Sequence, residues 1–103
     1  MAEKIFKIPS EIYRNDFEIR RVKGEVYNDK AFGFKLILHE CLPEDYMFGK
    51  YVISEYTTGL AIVSSNSIPL LKQLLKTRLE EKGELLFGMQ VEFMQKYFGI
   101  LNK

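Results

Sequence analysis

The stretch from Lys50 to Gly83, KYVISEYTTGLAIVSSNSIPLLKQLLKTRLEEKG, limits what this chain can fold into more than any other. It reads as strand, tight turn, strand, helix, stop. Tyr51 to Tyr56 and Leu60 to Val63 flank Thr57-Thr58-Gly59, and Gly59 can supply the positive φ that a tight hairpin requires. Leu60-Ala61-Ile62-Val63 is apolar on both faces, the pattern of a central strand. Ser64-Ser65-Asn66-Ser67 then offers several helix N-caps, with Ser67 the best placed and Pro69 tolerated in the first turn. Ile68, Leu71, Leu75 and Leu79 recur at helical spacing, with Leu70 and Leu74 widening the stripe. Gly83 ends that helix by the left-handed route.

The segments on either side read as additions to this unit. Lys4 to Ile8 is a short strand ended by Pro9-Ser10. Phe17 to Tyr27 is a strand whose apolar positions change parity between Ile19 and Val22. Side chains alternate faces along a strand, so a β-bulge or bend is expected at Arg20-Arg21 if both sets face one core. Asn28-Asp29-Lys30 is turn chemistry. Phe32, Phe34, Leu36 and Leu38 follow at a spacing of two, a strand that should pair with Phe17 to Tyr27 as a hairpin. Ile37 lies on its other face, so that face also carries apolar weight. Leu42-Pro43-Glu44-Asp45 breaks the strand, and the connection runs to about Gly49.

Glu84 to Leu101 fits two periods. Leu85, Phe87, Met89, Val91 and Phe93 alternate like a strand, but that reading puts Leu86, Met94 and Phe98 on the wrong face. On a helical wheel the apolar residues gather on one arc with Gln90 the only polar intruder, which predicts a second helix. A short link at Gly83 would join the two helices as an αα-hairpin. The expected fold is one α+β domain spanning residues 1–103. A mainly antiparallel sheet of four to five strands, in meander or hairpin order, carries two C-terminal helices on one face.

Length and composition agree. A chain of 103 residues can bury one core but not two. With 47% hydrophobic and 28% charged residues it carries enough apolar surface to fold. The net charge of +1 gives no global pull toward nucleic acid or anionic membrane. The single cysteine, Cys41, excludes an intrachain disulfide and fits a reducing compartment, so the expected location is cytoplasmic. No apolar run approaches the roughly 18 residues that span a bilayer, and the N-terminal MAEKIFKIP lacks the apolar core of a signal peptide.

Few residues here carry chemistry. His39-Glu40-Cys41 holds the only His and the only Cys, two apart and so on one face of a strand. A Cys–His dyad also needs a third group to orient the base, and none is evident. No catalytic residue is therefore assigned. A structural zinc site wants four Cys or His ligands, and Glu40, Glu44 and Asp45 lack the spacing of a calcium loop. No metal or other cofactor is expected. Ser64, Ser65, Asn66 and Ser67 lead from a strand into a helix N-terminus, where N–H groups and the helix dipole can hold a phosphate. With Arg20 and Arg21 they form the candidate anion site. Arg20, Arg21, Lys23 and Lys35 with Phe32 and Phe34 loosely match a nucleic-acid-binding sheet, but the charge balance argues against one.

The widest anomaly is the arc of the last helix. It covers roughly 200°, where docking on a sheet typically needs about 100° or somewhat more. Excess apolar surface of this kind marks an interface, and Met89 and Met94 among aromatics suit an adaptable one. The uncovered part is expected to include Phe87, Val91, Met94 and Phe98. The sequence therefore favours a non-catalytic interaction protein, a small regulator, inhibitor or adaptor acting as a homo-oligomer, with a homodimer or another protein partner bound through the C-terminal helix. A ligand- or nucleotide-phosphate-binding module built on Ser64–Ser67 is the alternative.

Overall fold

The computed structural model describes residues 4–13, 16–31, 33–41 and 49–103. Among the described residues five strands precede one helix: β1 (Lys4–Tyr13), β2 (Asp16–Ala31), β3 (Phe34–Glu40), β4 (Tyr51–Glu55), β5 (Ala61–Ser65) and α1 (Ile68–Phe98). The strands form one open antiparallel sheet in sequence order, β1-β2-β3-β4-β5. The fold is α+β, as the sequence indicated.

The Lys50–Gly83 unit forms as its residues dictate. Gly59 sits at φ 71 in the β4–β5 turn. It must be glycine for a second reason, since a Cβ there would lie 2.5 Å from the Lys7 carbonyl oxygen and 2.7 Å from the Ile8 Cα. The turn is thus packed directly on the backbone of β1, although β2 and β3 separate β1 from the β4–β5 hairpin in the sheet order. Ser67 caps α1, its Oγ accepting from the Leu70 N–H at 3.5 Å. From there Leu71, Leu75 and Leu79 descend one face of the helix into a core with Leu36, Ile53 and Val63 of the sheet.

Adjacent residues of a strand face opposite ways, and both faces of this sheet are used. Leu36 belongs to the core under α1, while its neighbour Ile37 joins Phe6, Ile8 and Val22 in a separate core on the other side. Ile37 is as buried as Leu36. The Phe6 and Tyr56 rings meet edge to face, centroids 5.8 Å apart, next to that second core.

Several local expectations give way to tertiary context. β1 runs through Pro9 to Tyr13; it is an edge strand, where a residue without an N–H costs no ladder bond on its open side. The ladder beside Arg20-Arg21 is unbroken, with Ile8↔Arg20, Lys7↔Arg21 and Phe6↔Val22 in register, and continues from Gly24↔His39 to Tyr27↔Leu36. No bulge forms there because Ile19 stays 47% exposed and does not share the core of Val22. Asn28-Asp29-Lys30 lie within β2, whose register with β3 shifts between Tyr27 and Ala31; the reversal comes later, next to Gly33 at φ 86. β5 is an edge strand and not a central one: Val63 is buried under α1 and Ala61 is exposed. The connection from Leu42 to Phe48 and the side chain of Phe32 lie outside the described residues.

The expected pair of helices is instead one long helical element, α1, with a break inside it. Gly83 takes φ 79 and ψ 159, and helical structure resumes at once on its far side. A single residue in a glycine-only conformation turns the axis without a connecting loop, so there is a kink where a helix–loop–helix hairpin was expected. The proximal limb, 68–82, lies along β4 and β5. The distal limb, 84–98, ends at Gly99, whose N–H bonds the Gln95 carbonyl at 2.8 Å.

Candidate functional site

The distal limb is held in one rotation about its own axis by contacts at both ends. Near the kink, the Phe87 ring packs edge to face on Phe34, centroids 5.0 Å apart at 73°. Val91, one turn on, is buried in the same core. Near the other end, Gln95 Nε2 donates to Thr57 Oγ1 at 3.0 Å, and the Leu101 N–H donates to the Thr57 carbonyl at 2.7 Å. Asn102 then locks the chain end. Its Oδ1 accepts from the Lys7 N–H at 2.9 Å, while its Nδ2 donates to the Lys7 carbonyl at 2.9 Å and the Tyr56 carbonyl at 2.8 Å. The amide thereby pairs with the open edge of β1 as a neighbouring strand would.

This rotation turns the expected interface residues inward. Phe87 and Val91 are buried, and Met94 and Phe98 are half-buried against the protein's own fold. The opposite side is exposed instead: Leu85 (76%), Leu86, Met89, Phe93 (63%) and Tyr97, with Ile100 just beyond the helix. Leu85, Met89, Phe93 and Tyr97 follow one another at intervals of four, so they form a single ridge with Leu86 beside it. Large side chains bury roughly 150–250 Å² each. Six of them, half to three-quarters open, present on the order of 700 Å² of largely apolar surface. Glu92 and Lys96 border the ridge on one side, both exposed. Among the described residues neither takes part in an ion pair. On the other border Gln90 Oε1 accepts from Lys82 Nζ across the kink.

The candidate anion site has its polar atoms committed locally. Ser65 is buried and its Oγ accepts from the Ser67 N–H at 3.2 Å; Asn66 Oδ1 accepts from the Lys50 N–H at 3.0 Å. Of the first helical N–H groups, Pro69 has none and that of Leu70 is taken by Ser67. Ser64 lies on β5, whereas Arg20 and Arg21 lie on β2, with β3 and β4 between them. The fold does not bring the two halves of that expected site together.

His39 is buried and makes a pair that the sequence did not suggest. Its Nδ1 donates to the Glu40 carbonyl at 2.8 Å, which fixes the tautomer and leaves Nε2 to accept the Ser54 hydroxyl at 2.7 Å. Burial lowers the His39 pKa below its ordinary 6.5, opposed by the bond to the Glu40 carbonyl, which raises it. A hydroxyl bonded to a neutral imidazole is the geometry of an activated nucleophile, but Ser54 is only 1% exposed and offers its oxygen to no surface. Cys41, just past the end of β3, is half-buried, its N–H donating to the Lys50 carbonyl at 2.7 Å.

Glu55 was also missed. Its buried carboxylate accepts from the Thr57 and Thr58 N–H groups and from both hydroxyls, which ties the β4–β5 turn together. The signal was an acid two residues before Thr-Thr-Gly, whose carboxylate can reach the N–H groups of the turn. Between this turn and the distal limb lies a cleft of about 120 Å³, floored by Glu55 and Thr58 and walled by Phe87, Val91 and Met94. The Glu55 carboxylate is already taken up by the turn, and Arg78, Lys82 and Gln90 also line the cleft.

Among the described residues no three His, Cys, Asp or Glu side chains gather where they could hold a metal, and no helix is long and apolar enough to cross a membrane. Glu44 and Asp45 lie outside the described residues. Phe34, a possible base-stacking residue, packs inward on Phe87, and Lys35 Nζ lies 5.2 Å from the centroid of the Tyr56 ring. Comparison of the chain with family models, with curated proteins and with solved structures gave no match.

Proposed function

We propose that this chain is a non-catalytic protein–protein interaction module, a small regulator, inhibitor or adaptor, that acts as a homo-oligomer. One observation carries the reading: the exposed ridge Leu85–Met89–Phe93–Tyr97 with Leu86. Soluble monomers rarely expose a contiguous apolar patch above roughly 300–600 Å². A stable interface takes about 800 Å² from each partner. Together with Ile100 just beyond the helix, the ridge exposes on the order of 700 Å², above the first range and close to the second. Its composition, two aromatics, a methionine and two leucines, suits the centre of an interface.

A phosphate-binding role for Ser64–Ser67 is the weaker reading, because the hydroxyls and the amide of that segment already serve its own turn and cap. Light scattering separates the two. The association reading predicts that the wild type is oligomeric at tens of micromolar and that Phe93→Glu is a folded monomer. A wild type that stays monomeric, with a melting temperature raised by inorganic phosphate, would favour the anion site.

A further inference from the structure

We infer that the partner is a second copy of this chain, and that the two distal limbs pack antiparallel about a two-fold axis passing beside Phe93. This rests on the association reading above and specifies its geometry.

Three observations support it. The first is area: one ridge of about 700 Å² doubled across a two-fold axis gives roughly 1,400 Å², within the range of specific interfaces. A self-complementary patch needs equal areas on both sides, and two copies of this ridge supply them. The second is the layout of the ridge. Phe93 lies near its middle, with Met89 and Tyr97 one turn away on either side. Antiparallel pairing about Phe93 sets each Met89 against the partner's Tyr97, a sulfur–aromatic contact, and stacks the two Phe93 rings at the axis.

The third is charge. Glu92 and Lys96 lie one turn apart along the same border of the ridge, both exposed and neither in an ion pair among the described residues. Antiparallel packing reverses the order of charges on the partner. Each Lys96 then comes within about two residues, roughly 3 Å along the axis, of the partner's Glu92. Parallel packing would put the Glu92–Lys96 borders of the two copies on opposite sides of the seam, where they could not pair. The helix dipoles also favour the antiparallel order.

Single cysteines test the geometry on a Cys41→Ser background, under mild oxidation. Phe93→Cys lies on the axis and is expected to form a disulfide-linked dimer. Leu86→Cys is expected not to, because its two copies lie about fourteen residues of helix apart, roughly 21 Å, and a disulfide needs its Cβ atoms about 4 Å apart. A mixture of Met89→Cys and Tyr97→Cys is expected to cross-link more than either alone. Self-linking of Leu86→Cys as readily as Phe93→Cys would overturn the antiparallel arrangement. So would failure of every variant to link while light scattering still reports a dimer, and that outcome would leave the association reading standing. A monomeric protein throughout would remove both.

Discussion

The two limbs of α1 carry different amounts of apolar surface and use it differently. In the proximal limb Leu71, Leu75 and Leu79 recur every four residues and all three are buried against the sheet. In the distal limb Phe87 and Val91 do the same, but a second set, Leu85, Met89, Phe93 and Tyr97, recurs every four residues on the opposite side and remains in solvent. The proximal limb has the apolar stripe that one packing surface needs, with Leu70 and Leu74 partly open beside it. The distal limb has two, and its own domain covers one. An arc too wide for the fold that bears it is the mark of a surface with a further use.

Substitutions in the two limbs, at the joint between them and on the far face of the sheet separate their roles. The largest effect is expected in the proximal limb. Leu75→Ala empties a fully packed site and should cost about 2–5 kcal/mol in denaturant unfolding. Phe93→Glu, in the exposed stripe, should leave the unfolding of the isolated chain within about 0.5 kcal/mol of wild type while removing association, because two carboxylates would meet at the seam. If the two substitutions cost the same in stability, the limbs are not different in kind.

The joint comes next. Gly83→Ala meets no steric obstacle, since nothing lies within 4 Å of the added Cβ, so its cost is that of the backbone alone. With φ 79 and ψ 159 that cost should be about 1–3 kcal/mol. If relief of the strain straightens the helix, the Phe34–Phe87 and Gln95–Thr57 contacts are lost with it. Near-ultraviolet circular dichroism should register the change in aromatic packing. An unchanged spectrum and stability would show that the kink does not set the rotation of the distal limb.

A smaller effect comes from the face of the sheet turned away from α1. His39 has a pKa below 6.5 in the folded protein, because burial disfavours its charged form. The unfolded chain therefore takes up the proton first as pH falls. The stability from keeping His39 neutral is fully present above about 6.5 and is lost as pH drops through that value toward the lower folded pKa. His39→Gln should flatten that part of the stability–pH curve. Because His39 lies away from the ridge, the oligomer's dissociation constant should not follow the same curve; a shared pH dependence would couple the two regions.

Much of this was legible along the chain. Gly59, the Ser67 cap, the Leu71–Leu75–Leu79 stripe and the hairpin around Thr57-Thr58 each follow from residues a few positions apart, and each is where the sequence put it. What failed depended on long-range contacts. Pro9 ends a strand only if that strand is interior, and edge position is a property of the sheet. The parity change at Ile19 demands a bulge only if Ile19 joins the core, and it does not. Periodicity revealed the width of the distal arc but not its rotation. Phe34, Thr57 and Lys7, all distant in sequence, decide which side faces inward through Phe87, Gln95 and Asn102. Phe87 and Val91 were therefore read as interface and turned out to be core, while Leu85, Met89, Phe93 and Tyr97 took the exposed place.

Sedimentation equilibrium measures whether the distal ridge is an association surface. At tens of micromolar the wild type should sediment at twice the chain mass and shift toward a single chain on dilution, while Phe93→Glu should sediment as a single chain at every concentration. A wild type that sediments as a single chain throughout, with Phe93→Glu indistinguishable from it, would contradict the account.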